Sequence, residues 1–554
     1  MYLRRCVGRS RVWSAILGGF LLLGAGADSS DRVGSLASFL VQGSDYAAAL
    51  SAVTQAHGRV THSLPIINAV AADLSPTQLE ALRHDPHLTI TPNRLARVSA
   101  TSTRSVDPYV AERTNANLLH AQGITGRGVT IAFLDTGWWS QHATQTNVAG
   151  QNVVLQGYDA IGNTLGVGAP SDHYGHGTHV LSIAVNSALA QDGNFLGMAP
   201  DAARVVVRAF DQNGAGSYAN TIRGINWILN NAARYHIRIV NMSFGAAPQS
   251  YYWDDPLAQA VMKLWQSGIV VVAAAGNEGP APQTIDVPGN VPYVITVGAS
   301  TDNYTPSVLS DDSLASFSST GPTFEGFVKP EVIAPGGHVI AVMQSSSTLA
   351  KAHPAFLGTN GYLGSSYFYM SGTSMAAAVV SGTVALMLQA NPSLTPDDVK
   401  CRLISSARPA LTRGGRLAYT VFQQGAGEIN AYDAVYSQAM GCANGGLDID
   451  ADLAGTQHFG GPVNEAPNGA YYIMNMQAPF SGQPDSGDGY SWSQGYTWTK
   501  GYTWSKGYTW TKGYTWSKGY TWSKGYTWTK WVTWGANPNF SATPATIVSW
   551  VDNE

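Results

Sequence analysis

Two short runs constrain the fold more than any other part of the chain. Val129-Thr-Ile-Ala-Phe-Leu134 and Ile269-Val-Val-Val-Ala-Ala-Ala275 are continuously apolar and rich in β-branched residues, and each stops at a polar group, Asp135 and Gly276-Asn277. A strand wetted on one face alternates polar and apolar residues. One without alternation is buried on both faces, as in a parallel sheet covered by helices. Such sheets collect their chemistry at the carboxyl ends of the strands, so Asp135 and Asn277 are expected there. His176 and Ser374 stand beside small residues and precede apolar stretches of helical length, Val180–Leu189 and Met375–Leu388. Both are expected at helix N-termini, where free N–H groups point at the site.

These residues sit in four motifs: Phe133-Leu-Asp-Thr-Gly137, His176-Gly-Thr-His-Val180, Ala275-Gly-Asn-Glu-Gly279 and Gly372-Thr-Ser-Met-Ala376. Singly each is weak, since Asp-Thr-Gly is commonly a turn and His-Gly-x-His a loop or metal pair. Together they supply an acid, a base, an oxyanion donor and a nucleophile. A serine hydroxyl needs a base to take its proton at neutral pH, and the unperturbed pKa of histidine suits that task. Asp135 would hold the His176 tautomer. The Asn277 amide, with the Ser374 backbone N–H, would bind the oxyanion of a tetrahedral intermediate.

In the order Asp…His…Ser, these motifs resemble the subtilisin-like serine proteases. The resemblance runs over about residues 36–440 and includes Ala315-Ser-Phe-Ser-Ser-Thr-Gly-Pro322, Lys329-Pro-Glu-Val-Ile-Ala-Pro-Gly336 and Gly425-Ala-Gly-Glu-Ile-Asn-Ala431. It implies a three-layer α/β domain with a mostly parallel sheet, over residues 107–440, preceded by a small α+β propeptide domain. In Asn241-Met-Ser-Phe-Gly245 it implies that Ser243, Phe244 and Gly245 pair with the substrate main chain, and that Gly214 and Gly216 form the opposite rim. It places Asp286, within Thr284-Ile-Asp-Val-Pro-Gly289, at the floor of the pocket for the residue preceding the cut, with Glu278 near its rim. Buried negative charge there would favour Lys or Arg, and Arg97 and Arg104 stand where the propeptide must be cut. An Asp turned to solvent or capping a turn is the alternative. The nucleophile helix departs from the family at Ala377-Ala-Val379, and Leu181-Ser182 replaces the usual Ala-Gly. Neither change removes a catalytic atom.

Arg4, Arg5, Arg9 and Arg11, an apolar stretch from Ala15 to Leu23 and Ala25-Gly-Ala27 read as a secretory signal peptide over 1–27, so the product is expected outside the cell or at its surface. No later stretch has the length and flanks of a membrane span. Cys401 and Cys442 remain after the signal, and either a disulfide or a free helix-face thiol is open for them. Residues 36–98 resemble an inhibitory, chaperone-like propeptide. Strands are expected at Phe39–Val41 and Leu64–Val70, helices near Asp45–His57 and from Ser75-Pro76 through Leu82, and a closing Asp85–Ile90.

The chain carries a net charge of −4, distributed unevenly. Residues 441–488 hold acids but no Lys or Arg, among Gly, Pro and Asn, and read as an acidic linker. Asp448-Ile-Asp-Ala-Asp452 resembles a calcium loop faintly, lacking its glycine and its final Glu. Over 489–534 the hexapeptide Gly-Tyr-Thr-Trp-Ser/Thr-Lys repeats, before a tail at 535–554. An even period puts Tyr, Trp and Lys on one face of an extended strand, able to self-associate, to stack on cell-wall sugars, or, the least favoured option, on nucleic acid. No cofactor is required for the chemistry, and structural calcium, frequent in the family, has no assignable ligands. The partners implied are protein or peptide substrates and the chain's own propeptide. Two function classes follow: an endopeptidase localised by its tail, or a surface protein whose repeat is the main function. A catalytically dead binding protein is a third, though no triad atom is missing.

Overall fold

The computed structural model describes residues 36–98, 508–510, and 110–473 apart from 167–169, 304, 306–310, 359–365, 414 and 467. The signal-peptide reading, Arg104 and nearly all of the repeat lie outside the described residues. The N-terminal unit contains β1 Ala37–Gln42, β2 Arg59–Leu64, β3 Ala69–Leu74, β4 Thr89–Pro92 and β5 Leu95–Val98, with helices α1 Tyr46–Gln55 and α2 Pro76–Arg83. Its antiparallel sheet has the order β2-β3-β1-β4. Asp45 caps α1; Ser75 and Gln78 form a reciprocal capping box on α2, with Pro76 in its first turn. The Leu64–Val70 strand expectation is corrected: Pro65–Ile67 is a 3₁₀ turn and Asn68 is left-handed, so the run turns the chain between β2 and β3. Alternation along this sheet serves two cores. Val41, Val70 and Ala72 pack on the unit's own helices, while Leu40, Ala69 and Ala71 join the main core.

The main sheet is built from β6 Thr130–Asp135, β7 Val154–Asp159, β8 Thr164–Gly166, β9 Ala203–Arg208, β11 Ile237–Met242, β13 Val270–Ala274, β14 Ile295–Thr301, β15 Ser313–Leu314 and β16 Val332–Pro335; between them fall β10 Ala215–Ser217 and β12 Phe244–Gly245. Its order is β15-β14-β13-β11-β6-β9-β7-β8 with β16 also on β14, parallel except where β8 and β15 join. Both apolar runs are inner strands, buried throughout. Helices α3 His176–Val185, α4 Tyr218–Tyr235, α5 Pro256–Gln266, α6 Thr373–Ala390 and α7 Pro396–Ser406 flank the sheet. α3 packs on α6, and α4 on α5, to give a three-layer α/β domain. By length and composition α6 passes as a membrane span, but 89% of that window is buried inside the protein, so it is a core helix.

The Lys329-Pro-Glu motif holds strand ends together. Buried Glu331 receives Lys329 Nζ at 2.7 Å and Lys400 Nζ, from α7, at 2.9 Å, and accepts the Thr296 N–H of β14 at 2.8 Å. Burial pushes the Lys329 ammonium down to about 7 against the pull of Glu331.

The expectation of a linker from 441 is corrected for the described residues. Cys442 is disulfide-bonded to Cys401 of α7, and α8 Ile449–Leu453 packs against α5. Within Asp448–Asp452 the carboxylates are taken up by groups of the protein itself. Asp448 caps α8 by accepting the Asp450 and Ala451 N–H groups, and buried Asp452 accepts from Tyr252 OH at 2.6 Å and Tyr293 OH at 3.0 Å and meets His458 Nδ1 at 2.7 Å. Among the described residues no three His, Cys, Asp or Glu side chains gather to hold a metal ion. Truncation after Gln438 should therefore strip acceptors from two buried tyrosines, at about 1–3 kcal/mol each, and lower the denaturation midpoint. The full-length chain is the reference, and both are read by denaturant unfolding in a Ser374→Ala background.

Candidate active site

Asp135 closes β6, and β11 and β13 end on the same edge of the sheet before Ser243 and Asn277. His176 and Ser374 occupy the first turns of α3 and α6. Two strand ends and two helix N-termini thus carry the four groups, all of them buried.

His176 Nδ1 lies 2.8 Å from Asp135 Oδ1, with both side chains buried. Asp135 Oδ1 also accepts the Thr136 N–H at 2.7 Å. His179 is no metal partner to His176. It is buried, its Nε2 lies 2.9 Å from the Phe368 carbonyl, and burial pushes its pKa down to about 3. The frame around the pair depends on Asp172, a residue the sequence reading missed. Its Oδ1 accepts the Thr136 hydroxyl (2.8 Å) and Gly175 N–H (2.7 Å), and its Oδ2 accepts the Thr178 N–H (2.8 Å) and hydroxyl (2.6 Å). Asp172 thus binds the strand that carries the acid to the helix that carries the base. Gly177 admits this approach, because a Cβ there would lie 2.5 Å from the Gly137 carbonyl oxygen.

Ser374 Oγ donates to the Ser243 carbonyl at 3.0 Å, and Ser243 Oγ donates to the Ser374 carbonyl at 2.9 Å. Asn241 Nδ2 donates to Ser243 Oγ, and Ser381 Oγ to Asn241 Oδ1, both at 2.8 Å, which anchors α6 to the end of β11. Asn277 is held by one side of its amide only. Thr373, also missed from sequence, gives Oδ1 its N–H at 3.0 Å and its hydroxyl at 2.9 Å. Asn277 Nδ2 is buried with no hydrogen-bond partner. A buried amide donor kept unpaired costs free energy, and one fixed through its carbonyl is a preorganised donor for negative charge. At the departures from the family pattern, Ala377, Ala378, Val379 and Leu181 are core residues, and the Ser182 hydroxyl accepts the Val342 N–H at 3.2 Å.

The cleft rims meet across the chain's own N-terminal unit. β5 lies between β10 and β12, antiparallel to both: Ala96 pairs with Gly216, Arg97 with Ala215 and Gly245, and Val98 with Phe244. Gly214 leads into β10 with φ 69°. Asp286 is buried against the same wall, since a Cβ on Gly245 or Gly276 would lie 2.5 or 2.8 Å from its Oδ2. Burial and then the Glu278 charge push its carboxyl up to about 8; Glu278 itself is exposed.

Fold and site together define a hydrolase equipped for acyl transfer from a buried serine. The profile of the Subtilase family matches residues 126–427. Serine protease AprX of Bacillus subtilis (strain 168) is 36% identical over 349 residues, 60% of this chain and 73% of that protein. Subtilisin E of the same organism is 32% identical over 358 residues, 64% of this chain and 79% of that one. The crystal structure of fervidolysin from Fervidobacterium pennivorans, described as a keratinolytic enzyme related to subtilisin, superposes with a TM-score of 0.57 at 22% identity, over 81% of this chain and 68% of that one. The chain belongs to the subtilase family and is a subtilisin-like serine endopeptidase acting on protein or peptide substrates.

Asn277→Ala should lower kcat by about 10²–10³-fold, the loss known for the subtilisin donor itself, with little change in KM. Steady-state hydrolysis of a chromogenic peptide reads both constants.

Proposed function

We propose that the chain is made as a secreted, self-processing zymogen whose residues 36–98 plug the cleft until they are cut away. The observation that carries this reading is β5, an extended segment of the same chain lying where a substrate strand would pair with both rims. His176 takes the Ser374 proton as Oγ attacks the scissile carbonyl, and Asp135 steadies the imidazolium. Asn277 Nδ2 and the Ser374 N–H receive the oxyanion. His176 then returns the proton to the leaving amine, and water releases the acyl group by the same steps in reverse. The C-terminal repeat, read as a surface, glycan or self-association module, stays a proposal of the same kind. Its Tyr508–Trp510 strand pairs antiparallel with His458–Gly460.

The register supports a position for the cut. Val98, the last residue of β5, pairs with Phe244, which neighbours Ser243, whose carbonyl accepts the Ser374 hydroxyl. Cleavage is expected at Ser99–Ala100. Arg97 pairs with Gly245 instead, so it does not support a basic residue at the cut as the sequence reading supposed. Expression without the signal, beside Ser374→Ala, tests this. A new N-terminus at Ala100 in the parent alone supports the reading, whereas an uncut, inactive but folded parent overturns it.

Asp286 is proposed to favour Lys or Arg before the cut. Its raised pKa leaves the Asp286 carboxyl mostly protonated at pH 7, and a bound cation favours the ionised form. The ratio of kcat/KM for a lysyl over a phenylalanyl peptide should therefore rise with pH through about 8 and stay flat in Asp286→Asn.

A further inference from the structure

Outside the triad, the charged contact between the N-terminal unit and the protease domain that is most deeply buried is Arg94. It stands one residue before β5, with its side chain 12% exposed. Its Nη2 lies 3.5 Å from Oδ2 of Asp255, a fully buried carboxylate, and its guanidinium carbon is 5.2 Å from the Tyr218 ring centroid. The backbone is tethered at the same place. The Tyr218 N–H donates to the Arg94 carbonyl, and the Ala219 N–H to Asn93 Oδ1 at 2.8 Å.

Every receiving group belongs to the protease domain and is held without Arg94. Asp255 caps α5, its Oδ1 accepting the Leu257 and Ala258 N–H groups at 2.9 and 3.1 Å, while the Tyr218 hydroxyl at the start of α4 donates to Oδ2 at 3.2 Å. The arginine fits loosely: its Nε and Nη1 are buried without hydrogen-bond partners. A cut past β5 lets Arg94 leave with the N-terminal unit. What remains is a carboxylate, walled by an aromatic face, that has lost its cation. A buried charge deprived of its partner is strongly disfavoured, and a ring face beside a carboxylate suits a guanidinium or ammonium.

We propose that Tyr218 and Asp255 form a substrate subsite for a Lys or Arg side chain. That residue is three positions upstream of the one pairing with Gly245, the sixth before the cut in the register above. The inference rests on the reading that β5 marks the substrate track. It adds a selectivity remote from the scissile bond, on a part of the cleft that short substrates do not reach.

The test uses matured full-length enzyme and two eight-residue p-nitroanilides that differ only at this position, Arg in one and Gln in the other, with a four-residue p-nitroanilide as control, the anilide being the bond cut in all three. The Arg peptide should be cut with about tenfold higher kcat/KM, equivalent to about 1.4 kcal/mol. The preference should shrink as salt is raised, and should fall to within about twofold in Asp255→Asn, whose side-chain oxygen can still cap α5. Equal rates on the two long peptides, with the short control cleaved, would overturn the subsite alone. Cleavage of the short control but of neither long peptide removes the reading of β5 as the substrate track and the subsite with it. A preference that persists in Asp255→Asn would assign the selectivity to other residues and refute the role given to Asp255.

Discussion

A parallel sheet covered by helices on both faces has water only at its ends, so its chemistry must gather there. The rest of this protein follows from that constraint. β6 and β13 are buried along their whole length and β11 at every residue but Arg238, and the three release Asp135, Ser243 and Asn277 at one edge. The helices returning to that edge bring His176 and Ser374 in their first turns, where unpaired N–H groups favour developing negative charge. No flexible loop is asked to place a reacting atom. Asp172, Asn241 and Thr373 lock strand ends to helix starts, and the geometry inherits the rigidity of the core.

The same edge explains how the N-terminal unit is recognised. Its sheet has two apolar faces but helices of its own for only one. Leu40, Ala69 and Ala71 complete their burial in the protease core, which makes the two units one hydrophobic body. β5 then continues into the crevice as an added strand, using main-chain pairing that is indifferent to side-chain identity. Side chains meet buried charge at two places beside that strand, Asp286 on the wall near Gly245 and Asp255 beside Arg94.

Buried acids recur through the structure, and each is answered differently. Glu331 is answered by two ammonium groups, Asp172 by backbone and hydroxyl donors, Asp452 by tyrosines and an imidazole. Asp286 and Asp255 are the less complete cases. Asp286 carries a pKa raised by burial and by the charge of Glu278, and the cation beside Asp255 is Arg94 of the N-terminal unit. Incomplete compensation is costly in a core and useful in a cleft, where a substrate can supply the missing charge.

By itself the sequence determined the chemistry and the class of fold. The residue types of acyl transfer stand in four motifs, and unbroken β-branched runs at Val129–Leu134 and Ile269–Ala275 admit little but a buried parallel strand. Its capping code was equally readable at Ser75-Pro76 and Asp45, because those signals act within one turn. Asp172, Thr373, Asp255 and Asp452 were not legible. Each is a polar residue whose role is set by partners 36 to 200 positions away. The acidic segment from 441 misled for the same reason: its composition suits a solvated linker, yet a disulfide and two buried tyrosines give it an address on the body. Local patterns report what a residue can do. Only the tertiary structure decides which distant group it does it to, because burial, and with it the strength of every charge and hydrogen bond, is a property of the packed whole.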